Sequence, residues 1–567
     1  MLLFAGCTLI LDKQYVPPTP KCEGLAAGTP CPGVDESELM ICLDGQCVKS
    51  ECGDGYVDAR PIAGEECDET SAGCLECRWA CAPGVDDCSA FIYVDVNYDG
   101  GGTPNGTREA PFRNLDVALQ LARETGASGV IIGGSPTFVE PLRVVSGVSI
   151  HGGYGEAPGF RPSASQRPTF LVPSDAYDAD ANRLVGAYAE DVEETTMLRG
   201  IRIATANLTT QRKDGNGASN IGLLVRGGDG LVLENVVIEA GAAVSGEDGS
   251  DGAPPDASMN GGSAVGRMPG AAPAACNSAC TDASPPAGQG SSACGYGGNA
   301  GSPGDDTYSQ GATRPRGNHG ASTPPPTGGV GGKNARSRGC YLEQDATAGG
   351  DGSPGLSGAA GADGGPAPWG ELDAEGRWLV ERGGDGDPGT RGTWGGGGGA
   401  GGGAKDDCMN DPDLGGHGGG GGAPGCGGRP GTGGGSGGAS FAVVVIGGSI
   451  TVRDSTLAAG PAGAGGSGGA GGAGGSGGLG ADGMPPQQNV EFTKAKWGGA
   501  GGHGGAGGPG GAGGGGAGGD SHAIRCVDGA FAAERSTLTA ANPATGGPSP
   551  VNAGPDGRSG ESYGCGD

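Results

Sequence analysis

Aromatic residues are scarce, at 4% of 567 positions, and basic residues are outnumbered: 34 Lys+Arg face 64 Asp+Glu, a formal net charge of −30. That balance excludes an electrostatic grip on nucleic-acid phosphates or anionic lipid headgroups. Cations, neutral polymers and other proteins remain as partners. No apolar run reaches the ~18 residues needed to cross a bilayer. What is abundant is glycine, at 133 positions, with proline at another 41. No compact α/β or helical enzyme carries so many residues that break helices and strands. At ~100–200 residues per domain there is room for several domains, but the apolar residues cluster too unevenly for the whole chain to share a core.

Nineteen cysteines are too many for free thiols in a reducing compartment. Cys7 stands alone. Cys22, Cys31, Cys42, Cys47, Cys52, Cys67, Cys74, Cys77, Cys81 and Cys88 form one set. Cys276, Cys280, Cys294, Cys340, Cys408, Cys426, Cys526 and Cys565 form another. Both sets are even, as disulfide pairing within two regions requires. Zinc-like spacing is confined to Cys74-x-x-Cys77 with Cys81 and to Cys276-x3-Cys280, and no histidine lies near either. Disulfides are therefore expected, with their connectivity open.

The run Leu2-Leu3-Phe4-Ala5-Gly6-Cys7 resembles the lipobox of bacterial lipoproteins. That resemblance implies a diacylglycerol on Cys7, export, and attachment to an outer membrane or cell surface through the lipid alone. Phe4 stands where Leu is usual, and only six residues precede Cys7, so the start is expected to lie inside a signal peptide. An ordinary apolar strand is the alternative. Residues 1–21 then comprise signal remnant, lipobox and an extended tether bearing Tyr15, Pro17, Pro18 and Pro20.

Residues 22–90 read as a disulfide-stapled module, because a chain so poor in large apolar groups needs cross-links. Its centre, Cys52-Gly53-Asp54-Gly55, Glu65-Glu66-Cys67-Asp68 and Gly73-Cys74 with Cys77, resembles the cysteine-rich repeat of myxobacterial surface proteins. That family has no assigned catalytic activity. Asp54, Asp58, Glu66, Asp68 and Glu69 are either a calcium site or, preferably, a solvated acidic surface. No other cofactor is expected.

Composition changes at Phe91. Phe91–Val96 has strand character, as do Val130–Ile132 and Val148–Ile150. Between them Asn114 can cap a helix whose apolar positions Leu115, Ala118, Leu119 and Ala122 recur at helical spacing before Gly126. The residues Asn105-Gly106-Thr107, Ala110-Pro111-Phe112 and Gly147 through Tyr154 resemble the opening of pectin-lyase-like right-handed parallel β-helices, where a short helix plugs the first coil. The resemblance implies that fold, and it is weak for any activity.

Internal repetition points the same way. Leu231–Gly241, Ile450–Gly460 and Phe531–Ala541 align residue for residue. Each follows a short strand signal: Leu223–Val225, Val443–Val445 and His522–Ile524. Leu198, Ile201 and Ile203 suggest an earlier coil. The excess between copies is glycine-rich and leaves the repeat just after Gly241 and Gly460, so two insertions should project side by side from one corner. The expected organisation is first coils at 91–241, an insertion with cysteines at 242–439, a coil at 440–460, an insertion at 461–520, and a last coil with tail at 521–567. Runs such as GGAGGAGGSGG over 468–478 have a period of three that fits polyproline-II-like helices in contact; a free loop is the alternative. They resemble, in composition, the glycine-rich regions of mycobacterial surface proteins and polyglycine-II bundles. Deleting 466–478 should be nearly neutral for the core.

Four sets of residues bear on chemistry. Glu234, Arg453 and Glu534, with Asn235, Asp454 and Arg535 beside them, should alternate in charge about 4.8 Å apart across stacked strands, as a salt-bridge ladder does. Arg199, Arg202 and Asp229 form a weaker cluster. His151, His319, His417, His503 and His522 are scattered without nucleophile or metal spacing. Trp369, Trp378, Trp394 and Trp497 lie in the insertions and either anchor them or stack on sugars. No catalytic or metal residue is assigned. The expected function is structural, adhesive or binding, towards an envelope or extracellular protein or polysaccharide. A polysaccharide lyase or glycoside hydrolase is the alternative.

Overall fold

The computed structural model describes residues 21–32, 39–57, 67, 74–75, 78–79, 90–157, 159–265, 288–301, 327–338, 341–406, 411–413, 415–486 and 495–566. The fold is mainly β. Near the N-terminus an antiparallel hairpin, Met40–Leu43 with Gln46–Lys49, is stapled by Cys22–Cys42 and Cys31–Cys47. The four sulfurs form the core of this small unit with Met40 against them, as the shortage of large apolar side chains demands.

From Phe91 the chain builds three parallel sheets, visiting them in rotation. The first holds Phe91–Val94, Gly129–Gly133, Ser149–Tyr154, Thr196–Arg199, Leu231–Glu234, Ser449–Arg453 and Ala530–Glu534. The second holds Thr137–Phe138, Thr169–Val172, Arg202–Thr205, Val237–Glu239, Thr456–Ala458 and Thr537–Thr539. The third holds Leu142–Val144, Arg183–Glu190, Ser219–Arg226, Ser440–Ile446, Ser521–Val527 and Ser559–Tyr563. Spatial order follows sequence order in every sheet. Each return of the chain therefore adds a strand at the same edge.

Alternation along the strands decides which side is core. Leu231 and Leu233 are buried while Val232 and Glu234 between and beside them are not. In register, Leu233 pairs with Val452 and Val452 with Ala533, so inward residues stack in columns across the insertions. Ile238, Leu457 and Leu538 form a second such column. A single apolar cluster runs from Val94 through Ile150, Leu198 and Leu233 to Val452 and Ile524. At its start lies the helix Leu115–Thr125, capped by the Asn114 side chain accepting from the Val117 N–H and ended by Gly126 at φ 69°. Its buried face is Leu115, Ala118, Leu119 and Ala122, the residues the spacing predicts.

One corner between the first and second sheets is a column of left-handed residues: Gly200, Asn235, Asp454 and Arg535, with φ of 64°, 51°, 47° and 46°. Non-glycine residues tolerate this region poorly. Here two of the three are Asn and Asp, the side chains that accept it most readily. Serines support the same corner: Ser455 Oγ accepts from the Val236 N–H at 3.0 Å and Ser536 Oγ from the Ser455 N–H at 3.2 Å.

Candidate functional site

Both long insertions leave where the repeat predicts, after Gly241 and Gly460, and then run side by side. The N–H groups of Gly246, Gly249 and Gly252 donate to the carbonyls of Ala464, Ser467 and Ala470 at 2.7–2.8 Å. Beyond that, they form the lateral contacts that the period of three predicts, and the free-loop alternative does not hold. Segments 347–367, 383–403, 415–440, 461–484 and 495–520 lie against one another, joined by main-chain hydrogen bonds at every third residue.

Segment 495–520 shows how. Gly499, Gly502, Gly505 and Gly508 donate to Gly399, Gly396, Thr393 and Thr390 at 2.8–2.9 Å. Gly501, Gly504, Gly507 and Gly510, one residue out of phase with that set, donate instead to Ala481, Gly478, Gly475 and Gly472 at 2.8–2.9 Å. Its carbonyls accept from a third neighbour, as in Gly422 to Gly502 and Gly425 to Gly505, both at 3.0 Å. Three residues per turn with a different partner for each is the period of polyproline-II-type helices packed laterally. In 461–484 the buried positions are Gly463, Gly466, Gly469, Gly472, Gly475, Gly478 and Ala481, every third residue. Deleting 466–478, read as nearly neutral, would instead remove partners from 243–264, 415–440 and 495–520 together.

Glycine is required at these positions by close approach. A Cβ on Gly425 would sit 2.0 Å from the Gly475 carbonyl oxygen, and one on Gly508 would sit 2.0 Å from that of Ala359. In 461–484 a third of the positions faces outward, among them Ala470, Ala473, Ser476 and Leu479, whereas 395–404 and 415–426 are buried at every position. Several rim N–H groups that the main chain leaves unpaired are satisfied by side chains of the adjoining segment. Asp248 accepts from Ser467, Asp251 from Ala470, Asp351 from Ala500 and Asp363 from Ala512, each at 2.7 Å. Hydrogen bonds from Ser467 hold the Asp248 carboxyl below its usual range. Part of the acidic excess is thus a capping device, and its signal in the sequence was the three-residue spacing of Asp248 and Asp251.

The bundle is fastened to the sheets by Trp378, and disulfides brace each part separately. Trp378 is buried, donates its indole N–H to the Gly437 carbonyl at 3.2 Å, and packs edge-on to Phe441 with centroids 5.9 Å apart. Anchoring is what the sequence reading favoured for the insertion tryptophans. Trp394 is half-buried, whereas Trp369 and Trp497 are exposed. Cys294–Cys426 ties two bundle segments, and Cys526–Cys565 ties the last strands of the third sheet. Cys52 and Cys67 are also in disulfides. Cys7, Cys77, Cys81, Cys88, Cys276, Cys280, Cys340 and Cys408 lie outside the described residues, as does the side chain of Cys74.

The charged residues on the outer face of the first sheet pair among themselves. Arg199, Glu234, Arg453 and Glu534 are successive partners across four strands, with Arg199–Glu234 at 3.2 Å and Arg453–Glu534 at 3.6 Å. Arg535 grips Asp454 through two bonds of 2.7 and 2.8 Å, and Arg167 donates to Asn235 at 2.8 Å. This is the ladder the alternation implies. The second cluster does not form: Arg202 pairs with Glu239, while Asp229 lines an open concavity of about 610 Å³ with Ser449, Asp528 and Cys565. Among the described residues, one trio of metal-ligand atoms converges, Cys22, Cys31 and Cys47, and all three sulfurs are consumed in disulfides. Of the proposed calcium group, Asp54 accepts from the Glu51 and Tyr56 N–H groups; Asp58, Glu66, Asp68 and Glu69 lie outside the described residues.

His503 is exposed at an outward position and accepts from the Gly480 N–H at 3.1 Å. His319 lies outside the described residues, and His417 is buried in the bundle. His522 is buried between the rings of Phe441 and Tyr563, 6.3 and 5.3 Å away, and burial pushes its pKa down to about 4. Burial and the neighbouring Arg199 push His151 to about 4 as well. Both values lie below that of an unfolded histidine, so the unfolded chain takes up these protons first. Stability should be full above about pH 6.5 and fall by about 2 kcal/mol or more per histidine as the pH drops towards 4. Asp520, whose carboxyl is raised by burial, gains from acid and offsets part of the loss. Urea midpoints at about pH 7 and pH 4.5 test this; His522→Phe, which keeps the stack, should flatten the dependence.

No family model, curated protein or solved structure matches the chain. The fold and site define a class by geometry alone: a parallel-sheet scaffold carrying an ordered glycine-rich bundle.

Proposed function

We propose that the chain is an exported, lipid-anchored surface protein that uses its glycine-rich bundle as a rigid platform for adhesion to an envelope or matrix component. In this reading the three sheets wrap as a right-handed parallel β-helix of the pectin-lyase type. Rotation of the chain through the sheets supports it, as does the strong right-handed preference of parallel crossovers. The single observation that carries the function is the bundle itself. Backbone-to-backbone packing fixes its inner positions as glycine, while outward rim positions such as Ala473 and Leu479 carry side chains that can vary without disturbing the lattice. A surface of that kind can change its chemistry while keeping its shape.

Export and anchoring rest on the Leu2–Cys7 motif and on the disulfides, which form in oxidising compartments. Expressed behind a lipoprotein signal peptide that ends at Cys7, the chain should fractionate with membranes and be reached by protease on intact cells. Cys7→Ser should release it, folded, into the soluble exported fraction. Beads coated with the released form should adhere to intact cells of the same strain. Unchanged membrane fractionation of Cys7→Ser would sink the anchor, and beads that do not adhere would sink the adhesive role.

A further inference from the structure

Where the bundle meets the last strand of the third sheet, the exposed rings of Trp369 and Tyr563 stack with the half-buried Arg558 and Arg525. Trp369 follows segment 347–367 and is 56% exposed, with its indole N–H bonded to the Asp556 carbonyl at 3.2 Å. The Arg558 guanidinium lies over the Trp369 ring at 5.2 Å and also over Tyr563 at 5.1 Å. Arg558 further donates to the Tyr563 hydroxyl, so one cation bridges both rings. Arg525 packs over the same tyrosine at 4.6 Å, and buried His522 stacks on it at 5.3 Å. Cys526–Cys565 closes the strand pair that carries Arg525 and Tyr563.

These contacts hold Trp369 in one orientation with one face against Arg558. With 56% of the residue exposed, the face away from Arg558 is the one we take as open. The stack is also separate from the anchoring of the bundle, which Trp378 accomplishes. An immobilised, open indole face suits the axial C–H face of a pyranose ring. Charge selects among sugars: a chain of net charge −30 repels a polyanion, and Glu371 and Glu561 occur beside the two arginines in sequence or field.

We propose that this junction is a binding site for a neutral pyranose polymer, with one sugar ring stacked on the open face of Trp369. The proposal names the ligand class of the adhesive platform and rests on that reading. It assigns binding, with no bond made or broken.

Affinity electrophoresis of the full Cys7→Ser chain tests it, in native gels cast with hydroxyethylcellulose, galactomannan, xyloglucan or polygalacturonate. Retardation is expected in at least one neutral gel and not in polygalacturonate. Trp369→Ala should weaken it by about tenfold or more, and Trp369→Phe, which keeps a ring, by about threefold. Trp497→Ala, another exposed tryptophan, should leave it unchanged. Melting curves of each variant separate lost binding from lost fold, with Trp369→Phe deciding if Trp369→Ala does not fold. Retardation in no neutral gel, in polygalacturonate alone, or equally by wild type and the Trp369 variants would overturn the site. Beads that fail to adhere to cells while gel retardation persists would instead count against the adhesive role, so the two failures are distinguishable.

Discussion

Gly425→Ala should destabilise the chain by about 3–5 kcal/mol, although it adds a single methyl group. The new Cβ would lie 2.0 Å from the Gly475 carbonyl oxygen, with the Gly475 carbon at 2.6 Å. Both obstacles are backbone, so no rotamer change relieves the clash. Segment 415–440 is moreover held by 243–264, 383–403, 461–484 and 495–520, and any shift breaks hydrogen bonds on several sides. Ala473→Ser, at an exposed outward position, adds an atom with no such neighbour and should stay within about 0.5 kcal/mol. Denaturant unfolding of the two variants reads the difference; equal, small losses would mean that the segments do not pack as described.

Val452→Asp should be comparably severe. Val452 is fully buried between Leu233 and Ala533 in register, and a carboxylate there has no partner. The cost is several kcal/mol, or the group stays protonated. Arg453→Asp, one residue away, breaks a solvent-exposed ion pair with Glu534 and should cost only about 1 kcal/mol. Comparable losses for the two would mean that inward and outward positions are misassigned.

The columns of inward residues were legible because aliphatic side chains carry a period. Leu231-Val232-Leu233, Ile450-Thr451-Val452 and Phe531-Ala532-Ala533 align by character alone, and the observed pairing matches that alignment residue for residue. The capping helix was equally plain, since Asn114 and Gly126 mark its ends. The lateral partners of the glycine segments were not legible. A glycine says that backbone comes close and does not say which backbone, and a run such as Gly395–Gly399 holds no side chain to set the frame. The expectation for deleting 466–478 failed for a related reason. Loop-closure entropy describes a free chain, whereas this stretch exchanges hydrogen bonds with its neighbours every third residue. Trp378 and Trp369 could not be told apart in the sequence, because burial of one and exposure of the other are set by where hairpin Glu371–Leu372/Trp378–Leu379 lands on the third sheet.

Amide hydrogen exchange across 415–440 and 495–520 tests the central claim most directly. If the inward N–H groups there, such as those of Gly422, Gly425, Gly504 and Gly505, are bonded to neighbouring segments, their exchange should be slowed as strongly as in the buried strands Ser440–Ile446 and Ser521–Val527, and Gly425→Ala should abolish that protection in both segments. Exchange at the rate of an unstructured glycine chain, with the strands still protected, would contradict it.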